Sequence, residues 1–172
     1  MEHIKSNSLV PIITHIMYQY PENLASFMIG SNRYNREIEL LPDTYWIPVY
    51  FTPGSALFSE PKAESAHGPL FSQQLKFNVP GDRIDTYAML ESLDTKPVIL
   101  KLTFSDGTEK IMGEPTAPAL FDEEFLSNSK ATGSTHAFKC LATHRAYIYE
   151  TDDLPGTGGP PGTPPPDPPP PD

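Results

Sequence analysis

The sequence predicts a mainly β fold, a β-sandwich or β-barrel with one packed α-helix at about 82–94 and an extended Pro-rich tail. Three observations carry that expectation. Short runs rich in β-branched and aromatic residues recur between Gly, Pro, Asn and Asp; a single segment has helical periodicity; and the chain ends in a Pro/Gly tract. The 172 residues divide into one β-rich domain over 1–150 and a tail over 151–172 that turns acidic and then Pro/Gly-rich. A domain of that size buries roughly two-thirds of its unfolded surface and needs no disulfide or metal to fold.

The strands are read in order. "LVPIITHI" (9–16), "REIELL" (36–41), "YWIPVYF" (45–51), "PLFSQQLKFNV" (69–79), "PVILKLTF" (97–104), "EKIMG" (109–113) and "THAFKCLATHRAYIY" (135–149) each combine strand-forming residues with turn residues at their ends. In "LKFNV", Leu75, Phe77 and Val79 point one way and Lys76 and Asn78 the other, the mark of a strand with a core face and a wet face. The helix is "DRIDTYAMLESL": Asp82 suits the N-cap and Asp85 the positive end of the dipole. Ile84, Tyr87, Ala88, Leu90 and Leu93 fall near one stripe, and Pro97 ends the pattern. It is expected to lie as a lid on the sheet. "LKLTFSDGTEKIMG" (100–113) reads as a hairpin, with Asp106-Gly107 at a tight turn that needs positive φ.

Beyond Glu150, "PGTGGPPG" reads as a loose tether and "PPPDPPPP" as extended polyproline II. With no Lys or Arg in the tract, a spacer is favoured over a ligand for an SH3-like groove.

Composition removes several function classes. The net charge of −10 disfavours sequence-specific nucleic-acid binding, because that affinity comes from clustered Lys and Arg. An acidic surface can still line a conduit for DNA without gripping it. The opening residues have no basic region followed by an apolar stretch, and no uncharged apolar run approaches the roughly 18 residues of a membrane span, so neither a secretory precursor nor a membrane protein is expected. The one cysteine, Cys140, allows no internal disulfide.

Candidate chemistry is sparse. His136, Cys140 and His144 share one face of the last predicted strand, together with Phe138 and Ala142. Residues four apart on a strand stand about 13 Å apart, too far to share one ion, so a buried apolar face with a small Cys is expected there. Asp122, Glu123 and Glu124 offer paired carboxylates, yet three consecutive acids read better as a solvated loop. No nucleophile elbow, phosphate-binding loop, zinc-helix or dinucleotide motif occurs, and no catalytic residue, cofactor or metal is expected. Tyr45, Trp46 and Tyr50 suit sugar stacking as well as they suit a core or an interface.

The block from Ser55 to Phe121 carries a resemblance. Its "GPLFSQQLKFNVP" strand is followed by the acidic-capped helix leading to "KPVIL", then the "FSDGTEKIMGEPTAP" hairpin, and beyond the block comes "HAFK". That order resembles small structural proteins of the tail or neck of tailed phages and prophages of Bacteroidetes-type bacteria, over about residues 55–150. The Pro-rich tail departs from the pattern. The resemblance implies a non-enzymatic virion component assembled in the host cytoplasm. It implies self-association into a homo-oligomeric ring that meets neighbouring virion proteins and no membrane. On it, Trp46, Tyr50, Lys101, Asp106, Glu109 and Lys110 are expected at the subunit interface, the hairpin offering its edge or its tip to the next copy. Two alternatives stand beside it: a carbohydrate-binding β-sandwich using Tyr45, Trp46 and Tyr50, and a small hydrolase using Asp122 or Glu124.

Overall fold

Alternation along the strands sorts the chain into two sheets whose apolar faces meet. The computed structural model describes residues 10–66, 68–80, 84–94, 96–124 and 133–149, with backbone alone at 80, 84–87, 123, 124, 133 and 134. Expectations for Leu9, Asp82 and the tail over 151–172, and for the side chains of Ile84, Asp85, Tyr87, Glu123 and Glu124, lie outside the described residues.

The strands are β1 (Ile13–Gln19), β2 (Leu24–Ile29), β3 (Asn35–Leu40), β4 (Ile47–Pro48), β5 (Leu57–Ser59), β6 (Lys62–Ser65) and β7 (Gly68–Pro80). After the helix α1 (Ile84–Asp94) come β8 (Ile99–Phe104), β9 (Glu109–Met112), β10 (Leu120–Glu124), β11 (Gly133–Ala142) and β12 (Tyr147–Tyr149). A seven-stranded sheet runs β2-β3-β12-β9-β8-β1-β4, and a five-stranded sheet runs β10-β11-β7-β5 with β6 also on β7. Among the described residues the fold is mainly β, with one α-helix and curled sheets forming a sandwich or half-barrel.

The main core lies between the sheets. Ile16, Leu100, Leu102 and Met112 from the larger sheet meet Leu75, Phe77 and Phe138 from the smaller, all essentially without solvent contact. Phe77 and Phe138, two positions apart across the β7–β11 ladder, stack with centroids 5.7 Å apart. A second, smaller core forms on the opposite face of the large sheet, where Ile38, Ile99, Ile111 and Tyr147 are covered by Leu24, Phe27, Leu40, Trp46 and Tyr149. The centre of that sheet is therefore buried on both sides.

Three links close the sandwich. Val98 and Ala119 exchange backbone hydrogen bonds of 2.9 and 2.8 Å between the start of β8 and the start of β10. Beyond β4, Val49 N donates to Ile16 O at 2.8 Å and Thr52 N to Asn78 O at 2.7 Å, so the chain passes along one rim from the large sheet to the small. Buried Gln73 of β7 accepts from Gly113 N at 3.3 Å and donates to His144 O at 3.1 Å, binding β7 to the ends of β9 and β11. Gly113 sits at φ +84° with a hypothetical Cβ 3.0 Å from Ala119 N, so any side chain at this close crossing would be strained and would crowd Ala119.

The helix packs as expected through Leu90 and Leu93, and Tyr20 Oη donates to Ser92 O at 3.4 Å. Its stripe needs one correction: Met89 packs on the main core while Ala88 is exposed. Other differences have local causes. The first strand begins at Ile13 rather than at 9, and 45–51 keeps only Ile47–Pro48, because Pro48 lacks a ladder donor and the chain then leaves the sheet. The run 135–149 divides into β11 and β12, because residues 143–146 carry the chain from one sheet to the other. The acidic run is strand β10 rather than a solvated loop: Phe121 enters the core while Asp122 on the opposite face pairs with Lys139.

The hairpin turn follows the Asp-Gly expectation with one change. Gly107 N donates to Phe104 O at 3.0 Å and Phe104 N to Thr108 O at 2.8 Å, with Gly107 at φ +84°, which describes a three-residue loop rather than a two-residue one. Among the non-glycine residues described, only Asp43 has positive φ, so Asp106 stays in the ordinary region.

Gln73→Leu leaves Gly113 N without this buried acceptor and His144 O without its donor. It is expected to lower unfolding stability by about 2–4 kcal/mol; a urea transition with an unchanged slope and a lowered midpoint is the check.

Candidate functional site

The residues expected at an interface fall into two groups and one outlier. Trp46, Lys101 and Glu109 come together on the outer face of the large sheet. Strand alternation turns Lys101 to the same side as Ile99, away from the main core, and its side chain is only 13% exposed. Its ammonium lies 4.8 Å from the Tyr149 ring centroid and 5.4 Å from that of Trp46, with the Glu109 carboxylate at 3.8 Å. Trp46 meets Tyr149 edge-on at 6.5 Å, and Glu109 also accepts from Thr103 Oγ1 at 3.0 Å. These side chains spend their chemistry inside the subunit, where a half-buried cation is balanced by two rings and a carboxylate.

Asp106 and Lys110 line a groove of about 680 Å³ at the hairpin end, bounded by Val10, Ile12, Leu57, Phe58 and Phe104. Lys110 stands 5.7 Å from the rings of both Phe58 and Phe104. Asp106 accepts from Thr108 N at 2.9 Å, and that backbone bond holds its carboxyl below the usual range. Tyr50 belongs to neither group; it stands exposed on the passage from β4 to β5.

The hairpin offers no free edge to a neighbour. β8 is paired with β1 and β9 with β12, so both flanks are occupied within the subunit and only the tip projects. This corrects the expectation that its edge recruits the next copy.

A polar cluster that the sequence pattern did not bring together lies where β9 and β11 end. His144 Nε2 is 3.3 Å from Glu114 Oε2, an ion pair when the ring is protonated, and His144 Nδ1 is 2.8 Å from Arg145 O. Tyr147 Oη donates to the same Glu114 oxygen at 3.3 Å and stacks on His144 with centroids 4.1 Å apart, while the Arg36 guanidinium lies 3.5 Å from the Tyr147 ring centre. Burial first, then the Glu114 charge, push the Tyr147 phenol up.

Cys140 completes a thiol, imidazole and carboxylate set in name only. Its Sγ donates to Ala117 O at 3.0 Å, and burial, then Glu114, push the thiol up to about 11. A nucleophilic cysteine requires the opposite shift. The expectation that His136, Cys140 and His144 share one strand face is also corrected: His136 and Cys140 point into the core from β11, whereas His144 lies past the strand's end. His136 is buried, stacked on Phe121 at 5.5 Å. Among the described residues no His, Cys, Asp and Glu group has the arrangement to hold a metal ion. No described helix is long and apolar enough to cross a membrane.

Sequence reasoning missed the short β5 and β6 and, of more consequence for the surface, β2, "LASFMI". It is an uncharged apolar run between Asn23 and Gly30, and that run was the available signal. β2 forms one outer edge of the large sheet. Met28 and Ile29 are 51% and 65% exposed, and Tyr34 in the turn before β3 and Ile148 on β12 are exposed as well.

The fold and its surfaces define a mainly β sandwich with an overhanging sheet. No family model, curated protein or solved structure matches this chain.

Two measurements check these assignments. Lys101→Ala is expected to cost about 1–2 kcal/mol through the two lost ring contacts and the stem packing, and to shift the emission of the sole tryptophan, Trp46, as its ring gains solvent. Because the Cys140 thiolate forms only near pH 11, alkylation at pH 8 is expected to run at least roughly 100-fold slower in the folded chain than after unfolding.

Proposed function

We propose that this chain is a structural subunit of a tailed-phage virion, in the tail or the neck, that assembles with copies of itself into rings. The observation that carries the reading is the overhang of the large sheet. Seven strands face five, and the end formed by β2, β3 and β12 leaves Met28, Ile29, Tyr34 and Ile148 exposed around an open strand edge. Such a concentration of apolar surface beside backbone that pairs on one side only among the described residues suits association with another protein.

Two further features support it. The order of strand, helix, Asp-Gly hairpin and late strand resembles the tail and neck proteins. The net charge of −10 suits a passage through which DNA slides without adhering. The carbohydrate-binding alternative draws less support, because Trp46 is half-buried against Tyr149 and Lys101 instead of standing beside Tyr45 and Tyr50 as an open platform.

Mass photometry and negative-stain imaging of the full chain and of a chain ending at Glu150 test the reading. Closed rings in both are expected, with the tail as an accessory. A monomer whose sedimentation is independent of concentration in both chains would overturn it.

A further inference from the structure

We infer that β2 is where a second copy of this chain adds, β2 against β2 and antiparallel, joining the two large sheets edge to edge across a two-fold axis. The inference rests on the self-association part of the reading above and names one joint of it: a two-fold joint closes a pair, and a ring needs a second contact that is not a strand pairing. A comparison of the sheet edges leads to it. β4 is two residues long and ends in Pro48; β5 has three residues; β6 carries Lys62 and Glu64; β10 carries Asp122, Glu123 and Glu124. Short length, proline and charge are the usual devices that keep an edge from recruiting a foreign strand. β2 has six residues and none of those three; its one register shift lies at its start, between Leu24 and Ser26, and leaves Ser26–Ile29 in regular register.

Its backbone is ready for a partner. Gly30 N donates back to Asn35 O at 3.1 Å, and the alternation of an antiparallel ladder then turns the amides of Phe27 and Ile29 away from β3. The nearest charges, Arg36, Glu37 and Glu39, belong to β3, one strand behind the edge: Arg36 stands opposite Ile29 with its guanidinium 5.9 Å from the Phe27 ring, and Glu39 accepts from Ser26 Oγ at 3.3 Å. Chemistry selects the occupant. Pairing β2 with β10 would set an uncharged strand against one whose Asp122–Lys139 pair would lose solvent, and pairing it with β4 would face a proline that has no donor. A second β2 brings a full row of donors and acceptors and no charge, so the joint is self-complementary and isologous.

The test uses the full chain. Sedimentation velocity over a concentration series is measured for the wild type, Ile29→Lys, Met28→Lys and the control Leu141→Lys, whose side chain is 62% exposed on the small sheet. Circular dichroism confirms that each variant is folded. Each β2 variant is expected to weaken self-association at least about 10-fold, since a lysine in each copy places like charges at one joint; the control leaves it unchanged. Amide exchange is expected to show concentration-dependent protection at Phe27 and Ile29 and at no other strand edge. A monomeric wild type, association indifferent to the β2 changes, or protection gained at a second edge along with β2 would each overturn the inference. The outcomes separate it from the ring reading: dimers without rings keep this joint and end the ring, whereas rings that survive Ile29→Lys keep the ring and end this joint.

Discussion

The rest of the structure depends on β8 being buried on both faces. Leu100 and Leu102 enter the main core, while Ile99, Lys101 and Thr103 point the other way, and neither side of this strand is open surface. A strand in that position needs a cover on its second face, and the chain provides one from distant segments: β2 and β3 curl over it with Phe27, Ile38 and Leu40, and Trp46 and Tyr149 close the end. The cover has an electrostatic cost. Lys101 cannot reach bulk water fully, so its charge is met by two ring faces and by Glu109. Residues that look like an exposed patch in the sequence are thereby committed to the fold.

The same logic explains the polar groups at the far end of the sheets. A sandwich whose sheets have unequal strand numbers must leave some backbone unpaired where strands cross between them. Gln73 satisfies two such groups, Glu60 Oε2 accepts from Ala146 N at 2.9 Å, and Glu114 gathers His144 and Tyr147. Cys140 packs beside this cluster with a thiol that burial holds protonated. Thiol, imidazole and carboxylate are the makings of a nucleophile, but here they fasten loops, and geometry rather than residue type distinguishes the two roles.

Strong local patterns made much of the fold legible. β3, β7, β8, β9 and the helix follow runs with clear period or clear ends, and the Asp-Gly turn announces the hairpin. What stayed hidden depends on tertiary context. The run 135–149 is continuous in composition, yet the chain changes sheets at residues 143–146. "LFDEE" has the composition of a loop, but Phe121 alone is enough to seat β10 against Phe138 and His136. Burial of Lys101 and Trp46 on the outer face was beyond any single-strand pattern, since it arises from curling of a sheet whose strand order is not sequential. Of the candidate surface, only the lack of charge in 24–29 was readable; that it forms an edge was not.

The hairpin and β2 illustrate how position in a sheet decides what a strand can do. β8 and β9 hold the stronger strand sequences, but each already has a neighbour on both sides, so their hydrogen-bonding capacity is used within the subunit. Even the tip turns its chemistry inward, because Asp106 accepts the Thr108 amide. β2 is the weaker strand, packed on one face by Phe27 and Leu24 and open on the other at Met28. Its exposed edge is tolerable in an isolated subunit only at a risk of indiscriminate pairing, which the other edges avoid by charge, proline or brevity. Retaining one unprotected edge among several protected ones makes physical sense if pairing there is selective, and an uncharged strand in an acidic chain is selective for the partner that brings the least additional charge to the joint.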